Sequence, residues 1–151
     1  MNRITALLTA AFTVFAALFI FSMSISPNWS VQRRIFINER PARIAPYLSE
    51  ASTWKKWNTW SEKQGISKIK IVKAGDNTVK YSLTNTMTGY VENGTAMVIS
   101  ADLGSYVVEK IEGKSNADPL TRYMLLLHEK LFGEDMETGL LTLKHEVEGR
   151  K

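Results

Sequence analysis

Cysteine is missing from this 151-residue chain, which excludes disulfides, thiolate metal sites and cysteine nucleophiles together. Histidine is scarce, with His128 and His145 the two examples. Carboxylates would have to complete any zinc site, and no ligand-spaced cluster of them occurs, so neither a metal nor a cofactor is expected. Walker A, G-x-S-x-G, dinucleotide and H-E-x-x-H fingerprints are also missing. No recognition module or arginine-rich aromatic motif points to nucleic acid. Internal repeats, low-complexity tracts and long Pro/Gly linkers are lacking too. What remains, 44% hydrophobic and 23% charged, fits one globular domain rather than a disordered chain.

Charge is missing over one long stretch. From Ile4 to Gln32, 29 positions carry no charged side chain. As a helix, Ile4–Ile25 would reach about 33 Å, enough for a hydrocarbon core of about 30 Å. Pro27 and Asn28 end such a helix, and Trp29 falls where an indole ring prefers to leave the bilayer. A cleaved secretory signal is the competing reading, with Ser22 and Ser24 as small residues ahead of Ile25. The run exceeds the roughly 7–15 apolar residues of a signal core and has no A-x-A ending, so residues 1–27 are read as a retained, single-pass anchor. Arg3 and the amino terminus lie on one side of it, and Arg33, Arg34, Arg40 and Arg43 on the other. A literal positive-inside count favours a cytoplasmic domain, whereas a short positive N-terminus also suits export. Both orientations stay open.

Residues 28–151 then form the soluble domain, with 18 basic and 15 acidic side chains. The balance is uneven: residues 29–85 carry 11 basic and 4 acidic groups, residues 86–151 carry 7 and 11. A solvated mixed surface explains this as well as a basic half held near anionic headgroups. Alternation from Trp29 to Ile37 predicts a strand, with Arg33 interrupting its apolar face. Pro41 opens a short helix over 42–51, carried by Ile44, Tyr47, Leu48 and Ala51. Trp54, Trp57 and Trp60 continue at three-residue spacing, as in a helical turn or 3₁₀ segment. Alternating Ile69/Ile71 and Val79/Tyr81/Leu83 flank a Gly75–Asn77 turn. Asn93-Gly94 reads as another turn, ahead of a strand over Thr95–Ser100. A last strand spans Tyr106–Ile111. Asp118-Pro119 caps a C-terminal helix whose apolar stripe runs Leu120, Tyr123, Met124, Leu127, Leu131 and, after Gly133, Met136, Leu140, Leu143 and Val147. The order implies an α+β domain in which a curved antiparallel sheet receives a long helix.

Two motifs in this frame carry a resemblance. Val31-Gln-Arg-Arg-Ile-Phe-Ile-Asn38 followed by Pro41, Ile44, Tyr47-Leu48 and Trp54-Lys-Lys-Trp57-Asn-Thr-Trp60 resembles the opening of the polyketide cyclase/SRPBCC (START-like, Bet v 1-like) family. Asp118-Pro-Leu-Thr-Arg-Tyr123 with Lys130, Gly133, Asp135, Glu137, Gly139-Leu140 and Leu143-Lys144 is similar to the close of its membrane-anchored members. The resemblance implies a helix-grip fold, the sheet wrapping the C-terminal helix around a hydrophobic cavity. Between the motifs, Lys68–Lys114 offers 47 residues, room for four strands where the family's sheet would need six.

Candidate residues for lining a ligand are Trp54, Trp57, Trp60, Tyr81, Tyr106, Tyr123, Met124 and Leu127, with packing of the short helix as the competing role for the tryptophans. Glu92, Asp102, Glu109 and Glu112 could serve as general acids or bases, but no spacing pairs them, and no catalytic residue is assigned. Arg33, if it points inward, needs a buried partner such as Glu109, unless a bulge turns it outward. Three functions are compatible with these residues. The first is a membrane-tethered START-like domain that holds or presents a small hydrophobic ligand or lipid without catalysis. The second is a cyclase or aromatase-like enzyme, as the family name suggests. The third is a cavity-less structural or interaction domain at the membrane surface.

Overall fold

The computed structural model describes residues 2–62, 67–85, 91–114 and 118–149. In chain order these form α1 (Arg3–Ser24), β1 (Asn28–Ile37), α2 (Pro41–Ser49), α3 (Ala51–Trp57), α4 (Thr59–Glu62), β2 (Ser67–Ala74), β3 (Thr78–Asn85), β4 (Val91–Ala101), β5 (Gly104–Lys114) and α5 (Pro119–Glu148). The described strands make one antiparallel sheet in the order β1-β5-β4-β3-β2. Four of them come from the segment where the sequence has room for four. Between β2 and β3 the Gly75 N–H donates to the Thr78 carbonyl at 2.8 Å. Asp102 and Leu103 alone connect β4 to β5, a connection length that suits two antiparallel neighbours.

Register fixes which side chains share a face, because strand side chains alternate. Val31, Arg33 and Ile35 of β1 stand opposite Ile111, Glu109 and Val107 of β5. Those three in turn face Gly94, Ala96 and Val98 of β4, and Gly94 and Ala96 face Tyr81 and Val79 of β3. This inner face is mostly buried; its opposite, with Lys70, Lys80, Lys110 and Lys114, is exposed. β1 is continuous in register with β5, so no bulge turns Arg33 outward.

One expected turn is instead a strand. Asn93 and Gly94 lie within β4, paired to Ser82 and Tyr81 on one side and to Glu112 and Ile111 on the other. Glycine is needed there because a β-carbon at residue 94 would stand 2.0 Å from Cζ of Tyr81. Asn-Gly serves here as a seat for a ring rather than as a hairpin corner. The connection from β3 to β4 falls at residues 86–90, outside the described residues.

α5 lies over β1 on the inner face, and α2, α3 and α4 fill the space beside it. Its start is as the sequence implies, with the Asp118 carboxylate accepting the Thr121 N–H at 2.8 Å. Its end is Gly149 at φ 67°, a left-handed closing position that glycine adopts without cost. The helix runs unbroken through Gly133. Its buried hydrophobic side chains, among the described residues, are Leu125, Met136, Leu140, Leu143 and Val147, with Phe132 partly buried between them. Leu127 lies off that stripe and is half exposed. At the far end, Lys144 Nζ donates to the Phe36 carbonyl at 2.9 Å, and the Asn38 N–H donates to Glu148 at 2.9 Å.

α1 is the one described helix long and apolar enough to cross a membrane, and its apolar side chains are exposed. It touches the domain at the start of α5. Arg122 Nη1 donates to the carbonyls of Ser22 (3.3 Å) and Met23 (3.1 Å), Tyr123 donates to the Leu18 carbonyl, and Phe21 stacks on Tyr123. A guanidinium at the carbonyl end of a helix also meets the negative end of its dipole.

Candidate functional site

The polar groups of the inner face converge on Glu109. Its carboxylate is carried by β5 into the centre of the sheet and is 1% exposed. Tyr81 reaches it from two strands away, donating its phenolic O–H to Oε1 at 2.6 Å. The ring crosses β4 over Gly94, and the small Ala96 stands directly opposite Glu109. Trp54 meets the Tyr81 ring edge-on at 4.6 Å. The second carboxylate oxygen, Oε2, is buried without a hydrogen-bond partner.

Burial sets the protonation of this pair. It drives the Glu109 pKa up to about 7, with the Tyr81 hydrogen bond pulling weakly the other way. Tyr81 is itself raised well above its ordinary value, first by burial and then by the neighbouring Glu109 charge. Glu92, half-buried and opposite Leu83 on the same face, is also pushed up to about 7 by burial. The centre of the grip therefore holds a carboxyl group that is partly protonated near neutrality, able to donate or accept one further hydrogen bond.

An inward Arg33 needs a buried partner, for which Glu109 is one candidate. The two residues are directly opposite, yet the guanidinium donates to the Gln32 carbonyl at 2.9 Å and lies along the backbone of α5. A β-carbon at Gly133 would stand 2.2 Å from Arg33 Nη2. The Arg33–Glu109 ion pair is not formed, because Tyr81 takes the near oxygen and the arginine follows the helix.

The other candidates fall into separate groups. Trp54 and Trp57 are fully buried and packed on each other at 4.8 Å, their indole N–H groups donating to the carbonyls of Leu48 (2.6 Å) and Tyr47 (3.1 Å). Trp60 donates to Asp135 at 3.1 Å and lies against Phe132, which also meets Trp29. These rings join α2–α4 to α5 and the sheet, and Trp54 touches Tyr81 of the Tyr81–Glu109 pair. Tyr106 is on the outer face, edge-on to Phe36 and beneath Arg34. Tyr123 packs on α1. The side chain of Met124 lies outside the described residues. The signal for Glu109 was register: it is 28 residues from Tyr81, and spacing alone cannot join them.

No family model and no curated protein sequence matches the chain. Solved structures do. The di-domain aromatase/cyclase StfQ from the steffimycin biosynthetic pathway aligns with a TM-score of 0.63 at 10% identity, over 82% of this chain and 52% of its own. The architecture is helix-grip-like. Zhui aromatase/cyclase from Streptomyces sp. R1128 aligns at TM-score 0.52 and 11% identity, covering 82% of this chain and 95% of that one. Aha1 from Colwellia psychrerythraea, solved as a dimer in solution, gives 0.55 and 19% over 82% and 98%. The chain spans about half the length of StfQ and nearly all of the other two. At these identities the likeness is one of fold.

Proposed function

We propose that the chain is a membrane-tethered START-like domain, residues 28–151, that holds or presents a small, largely apolar ligand without chemical conversion. The observation that carries this reading is the Glu109 carboxyl: a buried oxygen left unpartnered on an inner face whose other polar side chains include Arg33, Tyr81 and Glu92. Such an oxygen costs about 1–3 kcal/mol unless something satisfies it. A ligand with an apolar body and one hydroxyl, amide or acid group supplies the missing partner. The tether is supported by the exposed apolar helix α1, which at 22 residues matches a bilayer core.

Organic extraction of the chain purified from membranes, followed by mass spectrometry, tests the ligand. One recurrent apolar species, displaced competitively by a hydrophobic fluorescent probe, is expected. Repeated recovery of an empty chain that binds no such probe contradicts it. A cavity-less interaction domain is the second reading, favoured by the filling of the interior by Trp54, Trp57, Tyr81, Leu140 and Leu143, each at most 2% exposed. A cyclase-like reaction would call on Glu109 as acid, and Glu109→Gln would then abolish turnover while leaving binding intact.

A further inference from the structure

The outer face of the sheet has a different chemistry. Lys68, Lys70, Lys73, Lys80, Lys110 and Lys114 project from it, against a single strand carboxylate, Glu112, among the described residues. At the end of this face nearest α1 lies a groove of about 570 Å³, walled by Asn28, Ser30, Asn93, Lys110, Glu112 and Lys114 with Trp29 and Val91. Lys110 and Glu112 pair along β5 at 2.6 Å, both ends solvent-exposed, so the bond is worth little and an incoming anion can compete for the lysine.

The groove's position identifies its occupant. Asn28, on its wall, is three residues beyond Ile25, the cap of α1. Three extended residues span about 10 Å at most. The polar layer on each side of a bilayer is about 5–8 Å deep. A helix that crosses the membrane therefore delivers this groove to headgroup level, with amide and hydroxyl donors and two lysines lining it. We propose that the groove binds the phosphate of an anionic phospholipid headgroup and so fixes the tilt of the domain on the membrane. The orientation rests on the tether proposed above; the groove and its basic surround do not.

Lysine labelling of the full chain in nanodiscs, read by mass spectrometry, tests this. With phosphatidylglycerol in the disc, Lys110 and Lys114 should react several-fold more slowly than in pure phosphatidylcholine, while Lys80 and Lys73, two and three strands across the face from Lys110, do not change. The double variant Lys110→Gln/Lys114→Gln should retain co-purifying anionic lipid about thirtyfold less than the parent chain, at about 1 kcal/mol per lysine. Equal labelling in both discs overturns the proposal. So does equal protection of Lys73 and Lys80, which signals diffuse attraction only. Protection in phosphatidylcholine discs by added inorganic phosphate or an acidic peptide would reassign the groove to a soluble anion. A chain that enters neither disc defeats the tether instead, and the same labelling with dissolved dihexanoyl phosphatidylglycerol and phosphatidylcholine then decides the groove by the same criterion.

Discussion

Gly94 and Tyr81 make the most exacting contact in the domain. With Trp54 on its edge and Glu109 on its hydroxyl, the ring has nowhere to slide if residue 94 acquires a side chain. Gly94→Ala should destabilise the fold by about 2 kcal/mol, within the range for overpacking a core, as read from urea unfolding; an unchanged midpoint would mean that the ring is not held there. Tyr81→Phe removes the donor to Glu109 and leaves both carboxylate oxygens without one, at about 1–3 kcal/mol. Glu109 and Glu92 also give stability a pH dependence of definite sign. Their pKa values, about 7 in the folded chain, exceed the roughly 4.3 of an unfolded glutamate. The folded state therefore holds more protons between these values, and stability present below about pH 4.5 is lost as pH rises through 7. Unfolding free energy measured across that window should fall, and Glu109→Gln should flatten the curve. Stability that rises over the same window would contradict the burial of these acids.

At the scale of elements, the legible features were those set by neighbours in sequence. Asp118-Pro119 specified the start of α5 through a side chain and a ring acting within one turn. Ile69/Ile71 and Val79/Tyr81/Leu83 showed strands because one phase of each is apolar and the other polar. β5 shows why the site was hidden. Val107 and Val108 are adjacent, so both phases of the strand offer apolar residues, and nothing local says that Glu109 faces in while Tyr106 faces out. Asn93-Gly94 misled for the same reason: the demand for glycine comes from a ring on the next strand. On α5, apolar residues occupy two faces in the first half, one for the sheet and one, through Tyr123, for α1. The exposed edge β2 is guarded by Lys68, Lys70, Lys73 and the irregularity between Ile71 and Lys73, devices that discourage strand addition. Since α1 is joined to the domain through Arg122 and Tyr123, Arg122→Ala should loosen that joint and leave the sheet intact. Hydrogen exchange should rise at Phe21–Ser24 and stay unchanged in β3–β5; faster exchange throughout the sheet would mean that α1 is part of the domain's core.

For the whole molecule, the expectation is that the domain folds without the apolar helix α1. A chain beginning at Ser26 should be soluble and cooperative in urea, because the core residues of the domain lie from Val31 onward while α1 buries Ser22 alone and leaves its large apolar side chains exposed. Aggregation of that chain would show α1 to be a core element. The most direct measurement of the central claim is native mass spectrometry of the full chain released from membrane fractions. The expected mass includes residues 1–27 together with a bound apolar molecule of constant mass. A chain recovered from the soluble fraction, beginning at Ile25 and carrying nothing, would contradict it.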